Sequence, residues 1–280
     1  MNKLLLVDGS NLLFQMFFGM PARIVNTQGK PIQGTLGFTG ALLKIIRMVN
    51  PTHIAVLFDG EHENFRAETD SGYKANRIDY SQADEEDSPF SQLADIYAAL
   101  DFLGIKHAET TVCETDDWMA SYVYRYREEN QIIISSFDSD FFQLISSNVS
   151  VLRYRGKHTT LCTPQTIRER FSIEPSQYAD FKALIGDPAD HIRGADKIGP
   201  KTAAMLLAQY GSLAEILRNA PSIAKPSIRS SILAHAERLL RNQTLIQLSG
   251  GFPLPFQLEE LVWHQHEYST TEVLTAIHLK

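Results

Sequence analysis

The chain has 280 residues, 44% of them hydrophobic and 21% charged, which suits a soluble protein with a substantial core. No apolar run approaches the ~20 residues that a membrane-spanning helix needs, and the first run, Leu4–Val7, is too short for a signal peptide and ends in an acid. Cys113 and Cys162 are too few for a disulfide framework, so we expect a reduced, cytoplasmic protein that does not bind membranes.

The formal net charge of −7 argues at first against nucleic acid, because proteins that bind phosphates are usually basic. Nine of the acids fall in the motifs described below, so the rest of the chain carries a formal charge of +2. If divalent cations neutralise those acids, the remaining surface can still face DNA.

The first two-thirds of the chain alternate strand and helix patterns, which predicts an α/β fold with a mostly parallel central sheet flanked by helices. The polar segment 76–87 interrupts this alternation and has little to bury, so we expect it to be mobile. The predicted strands are Leu4–Val7, His53–Phe58, Gln131–Ser135 and Val149–Leu152. The predicted helices are Leu12–Phe18, Thr35–Val49, Phe90–Leu103 and Asp116–Glu128.

From Thr163 onward the pattern becomes helical. Thr163 can cap a helix whose first residue is Pro164, a favoured position for proline. Residues 250–280 carry mixed signals and receive no assignment. The further predicted helices are Ser176–Leu184, Pro200–Gln209, Leu213–Arg218 and Ser227–Leu248.

Acidic residues follow three of the predicted strands. The carboxyl ends of parallel strands meet at one edge of a sheet, where ligands bind, so we expect these acids to gather there. A second acidic run, Glu114, Asp116 and Asp117, opens the next helix, where negative charge is electrostatically favoured. The four acids at strand ends are Asp8, Asp59, Asp138 and Asp140.

Each of these acids also has a purely structural interpretation. Asp8 can cap a helix, Asp59 and Gly60 form an ordinary turn dipeptide, and acids 114–117 suit any first helical turn. Their joint occurrence favours a metal site, because crowded carboxylates would have to take up protons unless cations bind between them. Oxygen ligands suit Mg²⁺ or Mn²⁺. Six or more carboxylates fit two such ions ~3.5–4 Å apart, the arrangement used for in-line attack on phosphodiesters.

The ordered set of motifs resembles the bacterial 5′ nuclease, or flap endonuclease, family. This family includes the nuclease domain of DNA polymerase I and stand-alone 5′–3′ exonucleases. Since no polymerase segment is present, the chain looks like a stand-alone member. The matching pieces, in chain order, are Val7–Ser10, Val56–Asp59, Phe65–Arg66, Tyr73–Arg77, Glu114–Asp117, Asp138–Asp140, Gly186–Ile192, Gly194 and Lys197–Ala203.

The resemblance implies a PIN-like α/β metal-binding nuclease core in residues 1–172, with a helical arch at about 63–92. It implies a helical DNA-binding region in residues 173–280, with a helix–three-turn–helix element at about 176–210. It further implies a monomer that hydrolyses DNA at 5′ ends and 5′ flaps by a two-metal-ion mechanism. Two alternatives remain open: a branched-DNA-binding protein with reduced catalysis, and a PIN-type single-strand ribonuclease.

The same resemblance implies which acids hold the ions. It gives the first ion Asp8, Asp59, Glu114 and Asp116. It gives the second site and its surroundings Asp117, Asp138, Asp140, Asp187 and Asp190. The residues implied to be catalytic are Asp8, Asp116 and Asp138, together with Lys74 and Arg77.

The resemblance also implies DNA contacts. Lys74 and Arg77 match arch residues that grip the scissile phosphate, although two such cations can also form an ordinary solvated helix face. Arg66 and Tyr73 are the expected helpers, by ion pairing and by stacking. In the family, backbone carbonyls of the loop between Gly194 and Gly199, which we call the glycine loop, hold a potassium ion. The expected duplex contacts in and just after this loop are Lys197, Gly199, Lys201 and Thr202, and we expect Gly199 to need a glycine for close approach or positive φ.

Overall fold

The structure, a computed structural model, describes residues 1–20, 22–60, 69–70, 72–74, 84 and 87–280. A six-stranded sheet lies at its centre. The strands are β1 (Asn2–Asp8), β2 (His53–Phe58), β3 (Lys106–Glu109), β4 (Asn130–Ser135), β5 (Val149–Arg153) and β6 (Thr160–Cys162). Their spatial order is β3-β2-β1-β4-β5-β6, and all neighbours are parallel except β5 and β6.

The chain runs outward from β1 to β2 and β3, and then crosses to β4 on the other side of β1. The order of the strands therefore reverses between β1 and β4, and ligands of open α/β sheets bind at such a point. The acids that follow these two strands consequently share one end of the sheet.

The described residues contain eleven α-helices and a small two-stranded ribbon. The helices are α1 (Gly9–Gly19), α2 (Gln33–Val49), α3 (Leu93–Leu103), α4 (Thr115–Tyr126), α5 (Pro164–Phe171), α6 (Tyr178–Ile185), α7 (Pro200–Tyr210), α8 (Leu213–Arg218), α9 (Pro226–Ala234), α10 (Ala236–Ile246) and α11 (Thr270–Ala276). The ribbon strands are β7 (Gly186–Asp187) and β8 (Ile192–Arg193). Among the helices that the structure describes, none combines the length and the apolarity that spanning a bilayer requires.

The sheet is covered on both faces. Alternate residues of β1 enter two different apolar clusters: Leu5 and Val7 pack with helices α1 to α3, while Leu4 and Leu6 pack with α4 and the C-terminal helices. All four side chains are fully buried. Burial on both faces explains why the strand reads as a continuous apolar run instead of an alternating one.

The four predicted strands and the predicted mostly parallel sheet are confirmed. The prediction of one helix over Ser227–Leu248 is wrong, because α9 and α10 are separate helices that meet at His235, whose φ of −116° and ψ of 13° leave the helical region. No proline or glycine marks this break. The unassigned tail contains α11. The predicted mobile segment 76–87 lies outside the described residues except for Asp84 and Asp87, and most of the expected arch does too.

Candidate metal centre

Asp8 is both the last residue of β1 and the N-cap of α1. Its Oδ1 accepts a hydrogen bond from the Asn11 N–H at 2.9 Å, and its Oδ2 accepts one from the Ser136 hydroxyl at 2.7 Å. The structural interpretation of Asp8 as a helix cap is therefore correct. It does not compete with metal binding, because a carboxylate offers about four lone-pair sites.

The loop after β4 is fixed by a relay of short-range hydrogen bonds. The Ser136 hydroxyl accepts from the Asp138 N–H at 3.0 Å, and Asp138 Oδ1 accepts from the Asp140 N–H at 2.8 Å. The Phe137 N–H donates to Asn11 Oδ1 at 3.0 Å, which ties this loop to the start of α1. The loop thereby delivers two carboxylates in succession from the end of a central strand.

Four carboxylates, which we call the first acidic group, lie around the ends of β1 and β2 and the start of α4: Asp8, Asp59, Glu114 and Asp116. Asp59 Oδ1 accepts from the Thr115 N–H at 3.1 Å, so it caps the helix on which Asp116 lies. Burial, followed by repulsion from Asp59, raises the pKa of Asp8 from 3.8 to about 7. Burial and repulsion from Asp138 raise the pKa of Asp116 well above its ordinary value. Among the described residues, the nearest cation is Lys74, whose ammonium pairs with Glu114.

Three buried carboxylates, which we call the second acidic group, lie between the β4 loop and the β7–β8 ribbon. One oxygen from each of Asp140, Asp187 and Asp190 lies within 4.8 Å of the other two. Asp138 interacts electrostatically with Asp8 and Asp116 of the first group and with Asp140 of the second. Eight of the nine acids that the resemblance assigns to metal ions thus lie in these two groups or, in the case of Asp138, interact with both, and their assignment as ligands stays a prediction.

Lys182, on α6, was missed by the sequence analysis. Its buried ammonium forms ion pairs with Asp140 and with Asp187. Burial raises the pKa of Asp140 to about 7 even though Lys182 acts to lower it. A sequence signal was available, since Lys182 is the only cation in the otherwise largely apolar stretch Tyr178–Ile185.

Lys74 lies where the two acidic groups meet. Its Nζ is 2.6 Å from Glu114 Oε1, and its backbone N–H donates to the Asp190 carbonyl at 3.1 Å. Tyr73 donates its hydroxyl to Glu114 Oε2 at 3.4 Å, and its ring centroid is 4.9 Å from the Lys74 ammonium. The predicted helical setting of Lys74 is wrong, because it lies in a turn with φ of +56°. Arg66 and Arg77 lie outside the described residues.

Asp117 is buried, and its Oδ1 accepts a hydrogen bond from the Ser249 N–H at 2.9 Å. This contact ties α4 to the segment that follows α10. The assignment of Asp117 to the second metal site stays a prediction.

Lys197 and Gly199 are exposed in the glycine loop between β8 and α7, and in the first turn of α7 Lys201 is exposed and Thr202 is half-buried. The expectation that Gly199 needs a glycine is wrong: its φ is −93°, and an added Cβ would meet nothing within 4 Å. Gly186 and Gly194 are the positions here that require glycine: Gly186 has φ of +88° with the backbone of Ile192 against it, and a Cβ on Gly194 would collide with the backbone of Ile185.

Side chains of helix α10 donate hydrogen bonds to backbone carbonyls at the start of the glycine loop and in α6. The buried Asn242 donates from Nδ2 to the carbonyls of Ala183 and Arg193 at 3.0 and 2.9 Å, and Arg238 donates to the Gly194 carbonyl at 3.2 Å. Arg238 also lines a cavity of about 110 Å³ beside Tyr73, as does Arg241. Sequence reasoning missed these two arginines, because nothing near them in the chain marks a motif.

Comparison with known proteins agrees with this arrangement. The sequence profile of the 5′–3′ exonuclease N-terminal resolvase-like domain matches residues 3–172, and that of the 5′–3′ exonuclease C-terminal SAM fold matches residues 173–269. The chain is 34% identical over 259 residues to the thermostable DNA polymerase I of Thermus thermophilus, covering 92% of this chain and 30% of that protein. The chain thus spans about a third of the length of this curated relative.

Among solved structures, a T5 protein co-crystallised with metal ions is similar with a TM-score of 0.72 and 24% identity, covering 88% of this chain and 89% of that one. A bacteriophage T5 flap endonuclease in a complex with DNA and metal ions is similar with a TM-score of 0.70 and 22% identity, covering 99% of each chain.

The fold and the acidic edge of its sheet define a resolvase-like nuclease domain joined to a SAM-like helical domain. The chain belongs to the 5′–3′ exonuclease family.

Proposed function

We propose that this chain is a structure-specific nuclease that hydrolyses phosphodiesters of DNA at 5′ ends and 5′ flaps with two divalent cations. Mg²⁺ is the proposed resident ion, and Mn²⁺ is an effective substitute. The observation that carries the proposal is the convergence of two groups of mostly buried carboxylates, with Asp138 interacting with members of both. Two-metal sites that act on phosphodiesters hold their ions ~3.5–4 Å apart, and adjoining groups of carboxylates can supply ligands to both.

The residues fit such ions in donor type and in spacing. All the proposed donors are carboxylate oxygens, which hard cations prefer. A Mg²⁺ ion with ligands at about 2.1 Å spans about 4 Å between opposite ligands. The 4.8 Å spread of the second acidic group therefore closes around an ion with small side-chain movements.

Bound cations lower the pKa of the attacking water and stabilise the leaving oxygen. The protein's own residues hold the reacting phosphate beside them. Lys74 offers an ammonium at the meeting point of the two groups, within reach of a phosphate oxygen there. Tyr73 offers a ring for stacking of a neighbouring base. Arg66 and Arg77, assigned by resemblance alone, complete the phosphate contacts in this proposal.

The duplex is proposed to bind the glycine loop and the start of α7. Lys197, Lys201 and Thr202 supply donors there, and Gly199 is the N-cap of a helix whose free N–H groups suit a phosphate. The T5 flap endonuclease that binds DNA and metal ions shares this fold, which supports DNA as the substrate. We extend the proposal to a potassium ion held by carbonyls of this loop.

We propose two functional regions. Residues 1–172 form the catalytic core, with an arch at about 63–92. Residues 173–280 form the DNA-binding region, with a helix–three-turn–helix element at about 176–210. The proposed setting is a monomer in the cytoplasm. Both cysteines are free and buried, which is compatible with a reducing compartment.

Cleavage of three 5′-labelled DNA substrates tests the proposal: a 5′ flap, a nicked duplex and a single strand, each with Mg²⁺, with Mn²⁺ and with chelator. We expect cleavage of the flap and the nick near the junction, with no activity in chelator. Binding of the flap without cleavage in either metal would favour the DNA-binding alternative, and preferential cleavage of single-stranded RNA would favour the ribonuclease.

A further inference from the structure

Lys182 is buried in the second acidic group. Only 8% of its side chain is exposed, and its ammonium contacts Asp140 and Asp187, whose side chains are 9% and 12% exposed. These are two of the three carboxylates that converge within 4.8 Å. The lysine therefore lies among the atoms that a cation would use.

The ammonium changes the charge that a cation meets in this group. Three ionised carboxylates carry three negative charges, and Lys182 reduces the net charge to two. The first acidic group has four carboxylates for the one ammonium of Lys74. Attraction of a divalent cation scales with net charge, and two cations in one buried site repel strongly. The second group is therefore the weaker site.

The fold holds the Lys182 side chain close to its two carboxylate partners. Helix α6 packs almost all of its residues into the core, and the chain turns at Gly186 directly into the ribbon that carries Asp187. The same helix thus fixes both the ammonium and one of the carboxylates. A divalent cation entering here either displaces the ammonium from its two partners or binds against its charge.

We propose that Lys182 is a positioning residue that sets the affinity of the second metal position, its ammonium competing with the incoming divalent cation for Asp140 and Asp187. The proposal rests on the proposed function, in which cations bind these acids. It has one direct consequence: the two positions fill at different metal concentrations, and Lys182 widens the gap between them. Without a second cation, the lysine keeps the carboxylates together.

The test is a calorimetric titration of the metal-free protein with Mn²⁺ alone. Lys182→Met has a similar length and no charge, and Lys44→Met removes an exposed lysine of α2 as the matched control. We expect one strong and one weak position in the wild type and in Lys44→Met. In Lys182→Met we expect the weak position to tighten at least tenfold, with the strong position unchanged. Lys182→Arg, which keeps the charge, should retain the weak position.

Removal of the ammonium deprives two buried carboxylates of their ion-pair partner, so Lys182→Met is expected to melt at a lower temperature in chelator and to gain more from Mn²⁺ than the wild type does. Lys182→Gln keeps a hydrogen-bond donor and should show the same tightening, which covers the case in which Lys182→Met does not fold.

Two ions bound with wild-type affinities by a folded Lys182→Met or Lys182→Gln variant would overturn the inference and leave the proposed function intact. If the wild type bound no Mn²⁺ and cut no substrate, the proposed function would fail and the inference with it.

Discussion

Among single residues, Asp8 and Asp138 have the most direct expected effects. Their replacement by asparagine removes a ligand charge while keeping shape, and asparagine caps a helix about as well as aspartate does, so α1 keeps its N-cap. We expect each variant to cut flap DNA at least ~10²-fold more slowly, the scale of a lost catalytic stabiliser. DNA affinity should persist, because neither residue lies in the glycine loop.

Single-turnover cleavage and DNA affinity in Mg²⁺ are the measurements for these two variants. Asp101→Asn, which neutralises an exposed acid of α3, is the control and should cut at the wild-type rate. Wild-type cleavage by either site variant would show that the acid concerned is not a ligand.

Lys74 is expected to act on the rate rather than on binding. Its ammonium lies 2.6 Å from Glu114, among the proposed metal ligands, so it can reach a phosphate only at the reacting centre. A contact made mainly in the transition state lowers kcat and leaves affinity nearly unchanged. Lys74→Ala should therefore lose single-turnover rate at saturating enzyme by far more than it loses DNA affinity.

Lys44→Ala is the control for this measurement, because Lys44 is an exposed lysine of α2 that has no place in the proposed site. A Lys74→Ala variant that cuts as fast as Lys44→Ala would show that Lys74 has no role in the reaction beyond its ion pair with Glu114.

The residue types explain what the sequence revealed about this site and what it did not. Asp8, Asp59 and Asp138 were predictable because each follows an apolar strand, and strand ends share one edge of a parallel sheet. Lys182 stands out in the sequence as the only cation of α6, but its ion pair with Asp140, 42 positions away, could not be predicted. Long-range ion pairs leave no periodic signal in one sequence.

At the scale of elements, the buried strands were easier to predict than the edge strand β3 and the break between helices α9 and α10. β1 and β2 are buried on both faces and the run Ile132–Ile134 of β4 contacts both apolar clusters, so these strands read as continuous apolar runs. β3 is a four-residue edge strand with the sequence Lys-His-Ala-Glu, which has no such pattern. The break between α9 and α10 at His235 likewise carries no glycine or proline to indicate it.

The glycine loop and α7 form the element for which a binding prediction is sharpest. Lys201 is exposed at the second position of α7, next to the free N–H groups of the helix start. A lysine that contacts a phosphate releases condensed counterions, so its loss should reduce the salt slope of duplex binding by about one unit. Lys201→Ala should therefore weaken binding to flap and nicked duplex alike, whatever the base sequence.

The measurement is duplex affinity against salt concentration for wild type, Lys201→Ala and the exposed-lysine control Lys157→Ala. Cleavage by Lys201→Ala at saturating enzyme should stay near normal, because the acidic groups are untouched. If the plots of affinity against salt concentration superimpose for wild type and Lys201→Ala, this lysine does not contact the duplex.

At the scale of the whole molecule, the acidic edge joins the two parts of the chain. The first acidic group comes from the sheet and α4, and the second combines the β4 loop with the ribbon that leads into the C-terminal helices. One apolar cluster runs from β1 and α4 through α6 to α10. Charge repulsion at this edge is therefore expected to affect the stability of the folded chain as a whole, in addition to the local site.

The resulting prediction concerns pH and metal together. The folded protein holds the pKa of Asp8 at about 7 against an ordinary 3.8, so it binds this proton more tightly than the unfolded chain does. The stability that protonation contributes is fully present below about pH 4 and is lost as the pH rises through about 7. In chelator, the melting temperature should therefore fall between about pH 5 and about pH 8, and Asp8→Asn should show a smaller fall. Excess Mn²⁺ at about pH 8 should restore stability by binding the folded state only. The measurement is the melting temperature of both proteins across this pH range, with and without Mn²⁺. If the melting temperatures of wild type and Asp8→Asn in chelator fall equally with pH, deprotonation of Asp8 does not cause the loss of stability.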